Sequence, residues 1–110
     1  MAFVRKKVKS FKWPVTVKEP SADNPGKFEE STFTAVFKRV KMSRIEEMAE
    51  VGGFEFISEI LLDWEGIEDE DGSPVACSKK TIEEFADDAD WTRAVLSAYT
   101  ATYAEGEAKN

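Results

Sequence analysis

The chain has 110 residues, of which 42% are hydrophobic and 12% aromatic, and its formal net charge is −7. This is the size of one domain, and the apolar content is too high for a disordered chain. Because it has no histidine and only one cysteine, Cys77, histidine-based catalysis, an internal disulfide and a Cys/His zinc site are excluded.

The charge is divided unevenly along the chain. Residues 1–41 carry a local charge of +6 and residues 42–110 a local charge of −13. We expect one domain over residues 1–110, with the acidic helical region over 42–104 and a flexible tail over 105–110. The division is compatible with a nucleic-acid-binding arm, a head-to-tail contact between copies, or two solvated faces. The candidate basic patch consists of Arg5, Lys6, Lys7, Lys9 and Lys12.

The basic region has the alternating pattern of a β-hairpin. Residues 11–18 and 28–40 each place apolar side chains at every second position, and the Pro-Gly in residues 19–27 indicates the loop between them. Pro14 has no N–H to donate, which predicts that the first strand lies at a sheet edge. The side chains on the expected buried face are Phe11, Trp13, Val15, Val17, Phe33, Ala35 and Phe37.

Four helices are predicted in the acidic region. The first begins at Ser43, which should form a capping box with Glu46. The second covers residues 54–66, the third covers 79–86 after an N-cap at Ser78, and the last covers about 91–104. The predicted fold class is therefore α+β, an N-terminal antiparallel β-hairpin followed by a four-helix C-terminal half.

Two helical faces suggest contact with a partner. In the second helix Trp64 lies at the centre of an apolar arc and should be in the core, whereas Leu62 projects from the polar side. Leu62 is either a singly exposed leucine or a partner contact. The outer face of the last helix has one charged residue, Arg93, which suits either close packing with another chain or an ordinary small-residue surface. The candidate partner-binding residues are Leu62, Ser97, Thr100, Ala101 and Ala104.

No catalytic, cofactor-binding or metal-binding set emerges from these patterns. The acidic stretch IEDEDG places Ile67 and Ser78 where an EF-hand requires ligands, so an EF-hand is rejected. A solvated loop is the default, with a weak cation site at Glu68, Asp69 and Asp71 as the alternative. No apolar run is long enough to cross a bilayer, and the basic start has no signal-peptide pattern. We expect a protein that is not an enzyme and has no cofactor.

Several stretches, which together span nearly the whole chain in order, follow the sequence pattern of a known family. They are FKWPVTVKEP, GKFEESTFTAVFKRV, LLDWEGIEDEDGSPVACS and the end AYTATYAEGEAKN. Together they resemble the tail assembly chaperones of long-tailed bacteriophages. The most recognisable piece is W-x-G-I/V-x-D-x-D-G-x-P, here Trp64 to Pro74.

The resemblance implies a non-enzymatic chaperone that binds the phage tape measure protein and keeps it soluble while tail tube subunits polymerise around it. It implies a protein of the host bacterial cytoplasm that is absent from the mature virion. The tail tube protein and a second copy of the chain are further candidate partners, and neither a membrane nor nucleic acid is expected. The alternatives are a structural neck or tail-completion protein and a small nucleic-acid-binding domain that uses the basic N-terminus.

Overall fold

The computed structural model describes residues 2, 9–48, 50 and 53–108, with side chains up to residue 102. This part of the chain is α+β and contains a three-stranded antiparallel sheet and four helices. The elements in chain order are β1 (Ser10–Pro20), β2 (Phe28–Lys38), α1 (Met42–Met48), α2 (Gly53–Ile60), β3 (Leu61–Glu65), α3 (Lys79–Ala86) and α4 (Ala89–Ala108).

The predicted hairpin is confirmed. β1 and β2 pair without interruption from Ser10 opposite Lys38 to Pro20 opposite Phe28. The predicted inward-facing side chains are buried or half-buried, because alternate residues of a strand point to one face. The strand order is β1-β2-β3, so β1 lies at an edge of the sheet and tolerates Pro14.

The prediction of a helix over residues 54–66 is wrong from Leu61 onward. The helix ends at Ile60, and the next five residues form β3, which pairs with β2. A β-bulge explains the error. Asp63 lies opposite Val36 and Leu61 opposite Phe37, which leaves Leu62 as the extra residue. Leu61 and Trp64 therefore both face the core although they are three positions apart, the same spacing that a helix uses for one face.

The helix boundaries agree with the sequence in part. α3 begins after Ser78, whose side chain accepts a hydrogen bond from the backbone N–H of Thr81, as predicted for an N-cap. α1 begins one residue earlier than predicted, at Met42, so Ser43 lies inside the first turn and is not the cap. α4 continues to Ala108 and includes residues assigned to the flexible tail.

Two groups of aromatic rings fill the core between the helices and one face of the sheet. In the first, Tyr99 of α4 contacts Phe11, Phe37 and Phe56, and its hydroxyl donates to the carbonyl oxygen of Lys38 at 2.9 Å. In the second, Trp91 of α4 contacts three further rings, those of Phe33, Trp64 and Phe85. α4 is thus held against the sheet at two points, two helical turns apart.

Candidate partner-binding surface

The segment from Trp64 to Pro74 forms a closed turn against the core. The indole N–H of Trp64, which is 5% exposed, donates to the carbonyl oxygen of Val75 at 2.7 Å. Gly66 and Gly72 have φ of +92° and +85°, a backbone conformation that other residues adopt at a cost. Their positions in the pattern are therefore explained by the turn itself.

The turn is closed by backbone hydrogen bonds and by one acidic side chain, that of Asp71. Gly72 N–H donates to the carbonyl oxygen of Asp69 at 2.9 Å, and Ser73 N–H donates to Asp71 Oδ1 at 2.9 Å. The hydrogen bonds from Ser73 lower the pKa of Asp71 because they favour its charged form. Within the described ranges, no group of three or more Asp, Glu, Cys or His side chains could hold a metal ion.

Leu62 is 50% exposed, as predicted, but its exposure comes from the bulge in β3 and not from a helix. It lines a pit of about 430 Å³ together with Ser58, Cys77 and Lys79. Burial, and secondarily the charge of Asp63, raises the pKa of the Cys77 thiol to about 11. At neutral pH a smaller fraction of Cys77 is therefore thiolate than in a cysteine of ordinary pKa.

The outer face of α4 borders a groove of about 410 Å³ between this helix and the edge strand β1. Ser97 and Ala101, two of the predicted contact residues, line it. Thr100 is exposed without lining the groove, and the side chain of Ala104 lies outside the described part. We call this surface the β1–α4 groove, and its uncharged lining consists of Trp13, Pro14, Ala94, Ser97, Ala98 and Ala101, with Thr16 at the β1 side.

Each charged side chain that lines the β1–α4 groove belongs to an ion pair. Arg93 lies 3.2 Å from Asp90 on the same helix, and Lys18 lies 3.6 Å from Glu30 on β2. Each is a surface ion pair and contributes little to folding. Of the charged side chains that line the groove, Lys18 and Arg93 are basic and Asp90 is acidic, so the groove lacks the acidic excess of the chain as a whole.

The predicted contact residues do not form one surface. Leu62 belongs to β3 and the α4 residues border β1, and these two strands are the opposite edges of the sheet. The pit at Leu62 and the β1–α4 groove share no lining residue. A single short partner segment therefore contacts one of them or the other.

The candidate basic patch is only partly described. Lys9 and Lys12 are exposed, and Arg5, Lys6 and Lys7 lie outside the described residues. Lys12 Nζ is 2.9 Å from Glu65 Oε1 on β3, across the sheet. Some of the positive charge of the hairpin is thus paired with acidic residues of the same molecule, and the separation into a basic and an acidic region is less sharp in space than in sequence.

Some surface residues were missed by the sequence reasoning. Phe28 is 65% exposed and Met42 is 52% exposed. For Phe28 a signal was available, because it shares the parity of Thr32 and Thr34 on the outer face of β2. For Trp13, Ala94 and Ala98 the sequence offers no such signal, because the contact between α4 and the edge of β1 joins distant parts of the chain.

Among the described residues, no helix combines the length and the apolar character needed to cross a membrane. Comparison with protein-family models, curated protein sequences and solved structures finds no match to this chain.

Proposed function

We propose that this protein is a non-enzymatic phage tail assembly chaperone that binds the tape measure protein and keeps it soluble during tail tube assembly. The observation that carries the proposal is a low-charge groove on the surface of a strongly acidic protein. The resemblance over Trp64 to Pro74 supplies the class of partner. In this role the protein acts in the host bacterial cytoplasm and is absent from the mature virion.

The β1–α4 groove suits an apolar partner helix. α4 has 20 residues and is therefore about 30 Å long, enough to support several turns of a second helix. Alanine and serine at positions 94, 97, 98 and 101 allow close approach of a partner backbone. An apolar helix placed there leaves no unpaired charge beneath it, because Arg93 and Asp90 already satisfy each other.

The acidic character of the chain suits the same role. A net charge of −7 keeps a complex soluble and makes loaded complexes repel one another. The chaperone thus covers the apolar surface of its client without exposing a new apolar surface that would promote aggregation. The tail tube protein and a second copy of the chain remain further candidate partners, and nothing in the geometry favours either.

Co-expression tests the proposal. Fragments of a tape measure protein from a long-tailed phage are expressed with and without this chain. We expect the fragments to move from the pellet to the soluble fraction and to co-purify with the chain. If the chain neither solubilises nor retains any fragment, the chaperone function is contradicted. If the chain is found in purified virions in a fixed copy number, the structural neck or tail-completion alternative replaces it.

A further inference from the structure

The strand pairing determines which backbone groups of β1 face the open edge of the sheet. Just beyond one end of the β1–β2 ladder, the backbone N–H of Arg39 donates to the carbonyl oxygen of Lys9 at 3.2 Å. Just beyond the other end, the N–H of Ser21 donates to the carbonyl oxygen of Lys27 at 2.9 Å. In an antiparallel pair, hydrogen-bonded residues alternate with residues whose backbone groups point away from the partner strand. Odd-numbered residues of β1 therefore bond β2, and even-numbered residues direct their N–H and C=O groups outward.

These outward backbone groups form part of the wall of the β1–α4 groove. Pro14 and Pro20 fit the assignment, because both are even-numbered and so neither removes a hydrogen bond to β2. The even-numbered residues Pro14, Thr16 and Lys18 line the groove. Among the described residues, no other group hydrogen-bonds the backbone N–H or C=O of Thr16 or Lys18 on this side. Because both residues are exposed, water satisfies these groups while the groove is empty.

A partner helix in the groove displaces that water. A buried N–H or C=O group without a partner costs more than a hydrogen bond contributes, so nearly all such groups are satisfied in native structures. The main-chain groups along a helix are already bonded within the helix, so only its side chains can replace the water. A helix that is apolar on every side would therefore leave the outward groups of Thr16 and Lys18 unpaired.

We propose that the β1–α4 groove selects a client helix that carries two carboxamide side chains, of asparagine or glutamine, four positions apart on the flank facing β1. The inference rests on the proposed function and specifies which client helices bind. A carboxamide has an acceptor oxygen and a donor NH₂ group, so it matches the N–H and C=O of one strand residue. The outward groups of Thr16 and Lys18 are about 7 Å apart along β1, and helix positions four apart are separated by about 6 Å on one face. The apolar face of the same helix packs on the alanines of α4.

Two capped helical peptides test the proposal with the whole protein. Both carry an apolar stripe of leucine and alanine, and they differ only at two flank positions four apart. These positions hold glutamine in the test peptide and methionine, which has a similar length but no carboxamide, in the control. We expect the glutamine peptide to bind about tenfold more tightly, because the methionine peptide leaves the outward groups of two residues unpaired.

Amide hydrogen exchange measured by NMR reports the contact itself. In the free protein the amides of Thr16 and Lys18 should exchange quickly, whereas those of Val15 and Val17, which bond β2, should exchange slowly. The glutamine peptide should slow exchange at Thr16 and Lys18, and the methionine peptide should slow it much less.

Thr16→Pro supplies the protein-side test. Like Pro14, a proline at this even-numbered position removes the N–H that faces the groove but no hydrogen bond to β2. Thr16→Val is the matched control, since it keeps the N–H and removes only the hydroxyl, which lies 3.1 Å from that of Thr32. The preference for the glutamine peptide should fall about threefold in Thr16→Pro and persist in Thr16→Val. Circular dichroism checks that both variants fold, and the exchange measurement on the wild type does not depend on them.

The proposal is overturned if the two peptides bind equally or if neither binds. It is also overturned if Thr16 and Lys18 exchange as fast in the complex as in the free protein. Equal protection by both peptides would contradict it as well, because the peptide backbone would then be pairing with β1 as an added strand. The retention of tape measure fragments tests the chaperone function separately, so a failure of the peptide experiment does not count against that function.

Discussion

The turn from Trp64 to Pro74 and the β1–α4 groove differ in what the fold requires of them. In the turn, Trp64 hydrogen-bonds Val75, Gly66 and Gly72 adopt left-handed backbone conformations, and Asp71 binds Ser73. Each distinctive residue has a task in folding. In the groove, Ser97 is exposed and forms no hydrogen bond through its side chain in the described structure.

The contrast separates two kinds of information in one sequence. The residue pattern from Trp64 to Pro74 describes a way of closing a turn, so it bears more directly on folding than on a binding surface. The surface proposed to bind a partner includes residues that the fold leaves exposed, Pro14 and Ser97, beside Trp13, Ala94 and Ala98, which also pack against the core. Substitutions in the two regions should therefore have opposite consequences, for stability in the first and for association in the second.

Trp64→Ala should have the largest effect on stability. It removes a buried indole that contacts Phe85 and Trp91 and leaves a cavity, so we expect a loss of about 3–5 kcal/mol. Trp64→Phe keeps a ring but loses the hydrogen bond to Val75, and it should cost less. Denaturant-induced unfolding of both variants measures the loss in the free energy of unfolding. An unchanged midpoint for Trp64→Ala would show that the ring does not support the fold.

Cys77 tests the packing just beyond the turn. Burial disfavours its thiolate and raises its pKa from 9.0 to about 11. At pH 8 the folded protein should therefore contain about a hundredfold less thiolate than a cysteine of ordinary pKa. Reaction with a thiol reagent should be correspondingly slow and should accelerate as the pH rises towards 11. A rate equal to that of the denatured chain at pH 8 would contradict the packing.

Gly66→Ala should destabilise moderately. The added Cβ would make ordinary contacts with Phe33, at 3.7 Å and 3.8 Å, so the cost comes from the φ of +92°. We expect about 1–2 kcal/mol. Gly66→Asn is the matched variant, since asparagine tolerates this conformation better, and it should lose less in the same melting experiment. Equal losses would mean that the backbone conformation is not the cause.

The sequence predicted the parts of the fold that depend on local pattern. The alternation in β1 and β2 and the N-cap at Ser78 both follow from residues close together in the chain. β3 could not be found in this way. Leu61 and Trp64 have helical spacing, and only pairing with β2, together with the bulge at Leu62, makes the segment a strand. Long-range contacts decided that outcome.

The candidate surfaces also depend partly on local pattern and partly on long-range contacts. The low-charge face of α4 was readable because helix periodicity is local, and it does border a groove. That Trp13 and Pro14 form the other wall depends on how α4 lies against β1, which no local pattern reveals. The exposure of Leu62 was predicted for the wrong reason, since both the helix and the bulged strand turn it outward.

Ser97→Glu and Leu62→Glu should have the smallest effects on stability. Both side chains are exposed, so the free energy of unfolding of each variant should lie within about 0.5 kcal/mol of the wild-type value. Circular dichroism during a denaturant titration is sufficient to measure this. A collapse of the fold in either variant would show that the substituted residue supports the fold.

The amount of tape measure fragment retained by each of these two variants shows whether the β1–α4 groove is the binding surface. Both introduce one negative charge, but only Ser97→Glu places it in the β1–α4 groove. We predict that Ser97→Glu loses most of the co-purifying fragment while Leu62→Glu retains it at the wild-type level. Loss with Leu62→Glu and retention with Ser97→Glu, or equal retention by both, would contradict the assignment of the groove as the binding surface.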